Sequence, residues 1–143
     1  MIWRDSLSDI IANSVRVDLN AMFDAGSTLN LFAGTMPASL DDADAGTLIW
    51  SAPLNDPPFD FAVDSPYYVP MDITGMNALT IIGALGTITY WRMKTNAGAV
   101  QSQGTCGTSG SDINFAPTNV ITIRRNITIT QFRVMLDMVE FEN

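Results

Sequence analysis

The apolar pattern of this chain changes period once, at Gly26, and that change outlines its architecture. Before it, Leu7, Ile10, Ile11, Val15, Leu19, Met22 and Phe23 recur at three- and four-residue spacings, the stripe of an amphipathic helix. Ser6 with Asp9 three residues on resembles a capping box, and Gly26 is a natural stop, so a helix is predicted over about 5–25. The stripe covers one side of a β core in one reading and packs against another subunit in the other. After Gly26 the signals are those of strands. Short apolar runs at 29–33 and 47–51 flank a polar loop, 35–46. Then comes a proline-rich stretch, 53–70, holding Pro53, Pro57, Pro58, Pro66 and Pro70. Proline cannot donate to a ladder, so this stretch is expected as loop or edge. Its rings, Phe59, Phe61, Tyr67 and Tyr68, either pin the loop to the core or form a contact surface.

Further strands are expected at 76–82, 87–93, 99–103, 113–115 and 120–123, with a hairpin across Thr95-Asn96-Ala97-Gly98. The last strand, from Ile127 to about Val139, changes phase. Ile127 and Ile129 are apolar at odd positions, whereas Phe132, Val134, Leu136 and Met138 are apolar at even ones. A one-residue shift flips every side chain to the other face, so a bulge is predicted near Thr130-Gln131. Roughly eight strands with these loops imply a mainly β chain with one N-terminal helix, an antiparallel sandwich or jelly roll. Residues 1–143 read as one domain: helix 1–26, then a β-sandwich over 27–143.

Composition narrows the function. Fifteen Asp and Glu against seven Lys and Arg give −8, a surface that repels nucleic acid. Charged residues are 15% of the chain, below the roughly 25% typical of soluble domains. Either part of the exterior meets a partner, or Thr, Ser and Asn cover a well-filled β core. The chain has no histidine, which removes histidine-based triads and histidine-held metals. Cys106 is the one cysteine and lacks a histidine partner. The start, Met1-Ile-Trp-Arg-Asp-Ser6, lacks the regions of a secretory leader, and no apolar run approaches the roughly 20 residues that span a bilayer. A chain made in the cytoplasm, with no membrane partner, is the expectation.

Asp41, Asp42 and Asp44 offer three carboxylates in one loop, and hard cations take oxygen ligands. The loop lacks the further alternating carboxylate and distal Glu of an EF-hand, so it is a weak metal candidate beside a solvated acidic loop. Asp56, Asp60, Asp64 and Asp72 could pair for general acid/base work, but their spacing among prolines brings no two together and reads as a hydrated loop, and Arg124-Arg125 is too short for a nucleic-acid patch. Trp50 and Trp91, on apolar strands, are core anchors. No cofactor and no catalytic residue is expected.

The run Gly104-Thr-Cys-Gly-Thr-Ser-Gly-Ser-Asp-Ile-Asn-Phe115 has glycines for backbone freedom and Thr and Ser for turns, and it reads as scaffold. Together with Trp91-Arg92, the turn around Asn96-Ala97-Gly98 and the later Thr-Ile-Thr strand, it resembles a group of small tailed-phage virion proteins. Phe32-Ala-Gly-Thr-Met-Pro-Ala-Ser39 and Gly46-Thr-Leu48 resemble the same group more loosely. The resemblance implies a non-enzymatic structural protein of the virion. A capsid decoration (cement) protein on the major capsid protein is the first expectation, and a tail, neck or fibre-attachment component the alternative. It also implies self-association, a trimer before others. Leu19, Met22, Phe59, Phe61, Tyr67 and Tyr68 are the candidate interface residues.

Overall fold

The computed structural model describes residue 14 and residues 16–59, 68–71, 78–79, 84–122 and 127–135. It is mainly β, with a single short helix near the N-terminus and a curled, antiparallel-rich sheet. Among the described residues ten strands follow the helix: β1 (Thr28–Ala33), β2 (Thr47–Pro53), β3 (Tyr68–Pro70), β4 (Ala78–Leu79), β5 (Gly86–Thr87), β6 (Tyr90–Lys94), β7 (Val100–Gly107), β8 (Ile113–Ala116), β9 (Val120–Ile121) and β10 (Ile127–Met135). The main sheet runs β2-β1-β6-β7-β8-β10-β3, with β4 also on β10, and β5 with β9 forms a separate ribbon. No described helix is long and apolar enough to cross a membrane.

The helix is described at residue 14 and over 16–22, and it ends three residues short of the expected 25. Asp24 takes over there. Its carboxylate accepts the Asn96 backbone N–H at 3.0 Å and the Ser27 hydroxyl at 2.9 Å, which ties the helix end to the β6–β7 turn. Those two bonds hold its pKa below the ordinary carboxylate value, the Asn96 N–H foremost. Residues 5–13 of the expected helix, and Val15, lie outside the described residues.

The strands alternate as a two-faced sheet requires. Leu29 and Leu31 of β1 stand in register with Met93 and Trp91 of β6, and all four enter the core. Trp50, Ile49, Ile113, Phe115, Ile129 and Phe132 complete that side. The expected phase change in the last strand is present. The β10–β8 register shifts between Ile129 and Gln131, which lets Ile129 and Phe132 both face inward. The hairpin at 95–98 also forms, with Thr95 N–H donating to Ala99 O at 2.9 Å and Gly98 at a φ of 92°.

Two features depart from the expectation. The 87–93 strand is split: Gly86 and Thr87 pair with β9, and only from Tyr90 does the chain join β6. Thr89 marks the break, its hydroxyl donating to Gly34 O at 2.6 Å. Among the described residues the sheet also contains one parallel contact, where Cys106 and Gly107 stand opposite Ile113 and Asn114. The chain leaves β7, loops through 108–112 and continues in the same direction beside it. Reciprocal bonds close the loop: Asp112 Oδ2 accepts the Thr105 N–H at 2.9 Å, and the Asp112 N–H donates to Thr105 Oγ1 at 3.3 Å.

Gly104 is fixed by packing. The Trp91 indole lies across it and meets the Phe132 ring edge-on at 5.1 Å. A Cβ at Gly104 would stand 2.7 Å from Trp91 Cζ2 and 2.2 Å from Asp112 Oδ2. Among the described residues Trp91 Nε1 has no hydrogen-bond partner, so this ring contributes apolar area and shape. Gly104→Ala is expected to cost about 2 kcal/mol through overpacking, read as a lower urea midpoint at unchanged slope.

Candidate functional site

The outer face of β1 and β6 carries polar side chains, and a loop covers them. Ser51, Asn30, Arg92 and Gln103 stand in register across β2, β1, β6 and β7. Ser51 Oγ donates to Asn30 Oδ1 at 2.7 Å, and Arg92 Nε donates to Gln103 Oε1 at 3.0 Å. Beside this polar row runs another, Leu48, Phe32, Tyr90 and Thr105, in which the Phe32 and Tyr90 rings stack at 4.8 Å.

Arg92 is the centre of the arrangement. Its side chain is fully buried, so its charge must find partners within the protein. The segment joining β1 to β2 supplies them. Nη1 donates to Asp42 O at 2.8 Å and to Asp44 Oδ1 at 2.9 Å, and Nη2 donates to Ser39 O at 2.9 Å. Gln103 Nε2 adds a bond to Pro37 O at 2.8 Å. On the same face of β6, Tyr90 donates its hydroxyl to Ala45 O, and Lys94 pairs with the other Asp44 oxygen. Three alternate residues of β6, with Gln103 of β7, therefore hold the loop. Its neck is closed by Gly46, with φ at 75°, where a Cβ would meet Ala33 O at 2.0 Å.

The electrostatics follow from this geometry. Burial by itself raises the Asp44 pKa, but hydrogen bonds and charge from Lys94 and Arg92 outweigh it and leave the carboxyl below its ordinary 3.8. Burial raises the Tyr90 phenol, which stays protonated and able to donate. Burial also pushes the Cys106 thiol far up, with Asp112 adding to the effect. The thiol is thus protonated at neutral pH and unsuited to nucleophilic attack.

These contacts engage loop carboxylates within the chain. Among the described residues no group of three or more Cys, Asp or Glu could hold a metal ion. Asp44 faces Arg92 and Lys94, and Asp42 Oδ2 accepts the Ser39 N–H at 3.0 Å, so Asp41, Asp42 and Asp44 do not converge. Between the loop and the β6–β7 turn lies an open depression of about 450 Å³, lined by Leu40, Asp41, Asp44, Lys94 and Val100. At its wall Asp44 is already paired with Arg92 and Lys94.

The interface candidates separate. Phe59 is a core residue, 1% exposed, tilted against Phe23 with centroids 6.1 Å apart. Its N–H donates to Asn20 Oδ1 at 2.9 Å, so the proline-rich stretch is pinned at this ring and Phe59 offers no contact surface. Leu19 is half-buried against the same core. Met22 is 44% exposed and stays available, and Val17, which the apolar stripe did not include, is 61% exposed. Phe61 and Tyr67 lie outside the described residues, and Tyr68 enters through its β3 backbone alone. Sequence reasoning missed Arg92. The available signal was an arginine in the apolar alternation of 87–93, in a chain whose only acidic triplet lies in a loop beside two strands. Comparison of the chain with family models, with curated proteins and with solved structures returned no match.

Arg92→Met is expected to cost about 3 kcal/mol, because it strands two carbonyls and a carboxylate, and to raise amide exchange across 37–45. The acid response has a defined sign. A carboxyl whose folded pKa lies below its unfolded value stabilises above that value and loses the effect as pH falls through the folded one. The stability gap between the wild type and Asp44→Asn should be full above pH 3.8 and narrow below it, as paired urea titrations would register.

Proposed function

We propose that this chain is a non-enzymatic structural component of a tailed-phage virion, first of all a capsid decoration protein seated on the outer shell. The observation that carries the reading is what the resembling run does in the fold. Gly104 lies under Trp91, Thr105 and Asp112 bond each other, Cys106 is buried, and Asn114 bonds back to Ser111 at 3.1 Å. The run is consumed in holding strands together, as a scaffold requires. Arg92 and Asp44, a charged pair, hold a loop. An acidic exterior at −8 suits a protein that shares a particle with packaged DNA without binding it. Its partners are then the major capsid protein or other virion proteins, and further copies of itself.

A tail, neck or fibre-attachment role is the second reading. The exposed Val17 and Met22 on the N-terminal helix favour it, since a helix presenting apolar residues suits docking on a ring.

Copy number in purified particles separates the readings. Quantitative mass spectrometry should return on the order of hundreds of copies for a shell protein, and about six to twelve for a tail or neck ring. Absence from particles would overturn both. Met22→Asp tests the helix surface. Stability is expected to stay within about 0.5 kcal/mol, because the site is exposed, while a helix-docked protein loses at least about tenfold in particle binding.

A further inference from the structure

The loop between β1 and β2 spends its backbone inward and leaves side chains outward. The carbonyls of Pro37, Ser39, Asp42 and Ala45 accept bonds from Gln103, Arg92 and Tyr90. That bonding fixes the loop before anything meets it, so a contact with its outer side costs little further ordering. Binding residues commonly sit on loops held by a rigid scaffold in this way. Leu40, 40% exposed, stands on the outer side and forms one wall of the open depression. Ala99 and Val100, at the β6–β7 turn and the start of β7, form the other. Its volume of about 450 Å³ falls within the roughly 300–1,000 Å³ that ligand sites span.

The charges at its mouth select the occupant. Arg92 is fully enclosed, and Asp44 is shared between it and Lys94. Asp42 Oδ2 accepts the Ser39 N–H at 3.0 Å. Asp41 differs. Among the described residues its carboxylate accepts no hydrogen bond and joins no ion pair, and only its N–H is used, on Ser39 Oγ at 3.2 Å. An exposed carboxylate beside Leu40 and Val100 is complementary to a side chain with an apolar stem and a cationic head. Arginine suits it better than lysine, because its planar fork meets a carboxylate with two parallel bonds and is more weakly hydrated. Copies of net charge −8 repel one another, so a different protein is the partner at this surface.

We propose that this depression receives an arginine side chain of a protein partner, its stem between Leu40 and Val100 and its guanidinium on Asp41. The site stands whether or not that partner belongs to a virion.

The test uses the full chain, with the blocked tripeptide acetyl-Leu-Arg-Leu-amide as the probe and backbone amide resonances as the readout. Shifts are expected at 40–44 and 98–100, and they should vanish when citrulline, which keeps the shape without the charge, replaces the arginine. Asp41→Asn should weaken binding about threefold, the scale of an exposed ion pair. Asp18→Asn removes the same charge from an exposed helix position and should leave binding unchanged. Absence of shifts at 40–44, equal binding of the citrulline peptide, or equal weakening by the two substitutions would overturn the site. Each of those results leaves the copy number in particles, and with it the proposed function, untouched.

Discussion

The burial of one guanidinium constrains much of the described sheet. Arg92 is enclosed, and a charge removed from water persists only when its donors are met. Four bonds meet them: one from β7 and three from the loop between β1 and β2. For those bonds to coexist, β6 must sit between β1 and β7 in the observed register, and the loop must fold back over the sheet. A slip of β6 by one residue would drive the guanidinium into the apolar core and lift Trp91 out of it. Register and loop position are therefore one constraint, satisfied together.

The opposite face of the same strand makes the complementary demand. Trp91 needs a flat neighbour, and Gly104 on β7 is the residue that lets the indole lie down. From there the ring reaches Phe132 of β10, joining the strands around β1 and β6 to those around β8 and β10. The β10 bulge belongs to this requirement. Without the extra residue between Ile129 and Gln131, Phe132 would point away from the indole while Ile129 pointed toward the core. One strand thus couples a polar lock on one side to an aromatic bridge on the other, and no hydrogen-bond partner for the indole N–H is present among the described residues.

Legibility followed the range of each interaction. The phase change of β10 was visible because period-two alternation is local, and so was the turn at Asn96-Ala97-Gly98. The bounds of β1 and β2 were close for the same reason. The Arg92 site was not legible, since its loop partners lie 48 to 53 residues away and two of them are backbone carbonyls, which every residue has. The acidic loop was read as solvated or metal-binding because sequence does not reveal which carboxylate meets a buried cation. The parallel β7–β8 contact was hidden too: a five-residue link ordinarily means a hairpin, and only the Thr105–Asp112 bonds turn it into an offset continuation. Phe59 could have lain inside or outside, and the bond from its N–H to Asn20 decided it.

What remains for function is the surface that the internal bonding leaves over. Asp24, Asp42, Asp44 and Asp112 each accept a backbone or side-chain donor within the chain, so several carboxylates serve the fold. Used this way, they brace loops and still contribute their negative charge to the exterior, which discourages indiscriminate contact between copies. Among the described residues exposed apolar side chains lie on the helix at Val17 and Met22, on the β1–β2 loop at Met36 and Leu40, on β2 at Leu48 and before β5 at Leu85. They differ in kind. A helix face binds through side-chain area and is selective for shape, whereas a strand edge binds through backbone bonds and is selective for register. Neither the helix surface at Val17 and Met22 nor the outer side of β2 supplies a group to the bonds that hold the loop over Arg92, so a change there leaves that lock intact.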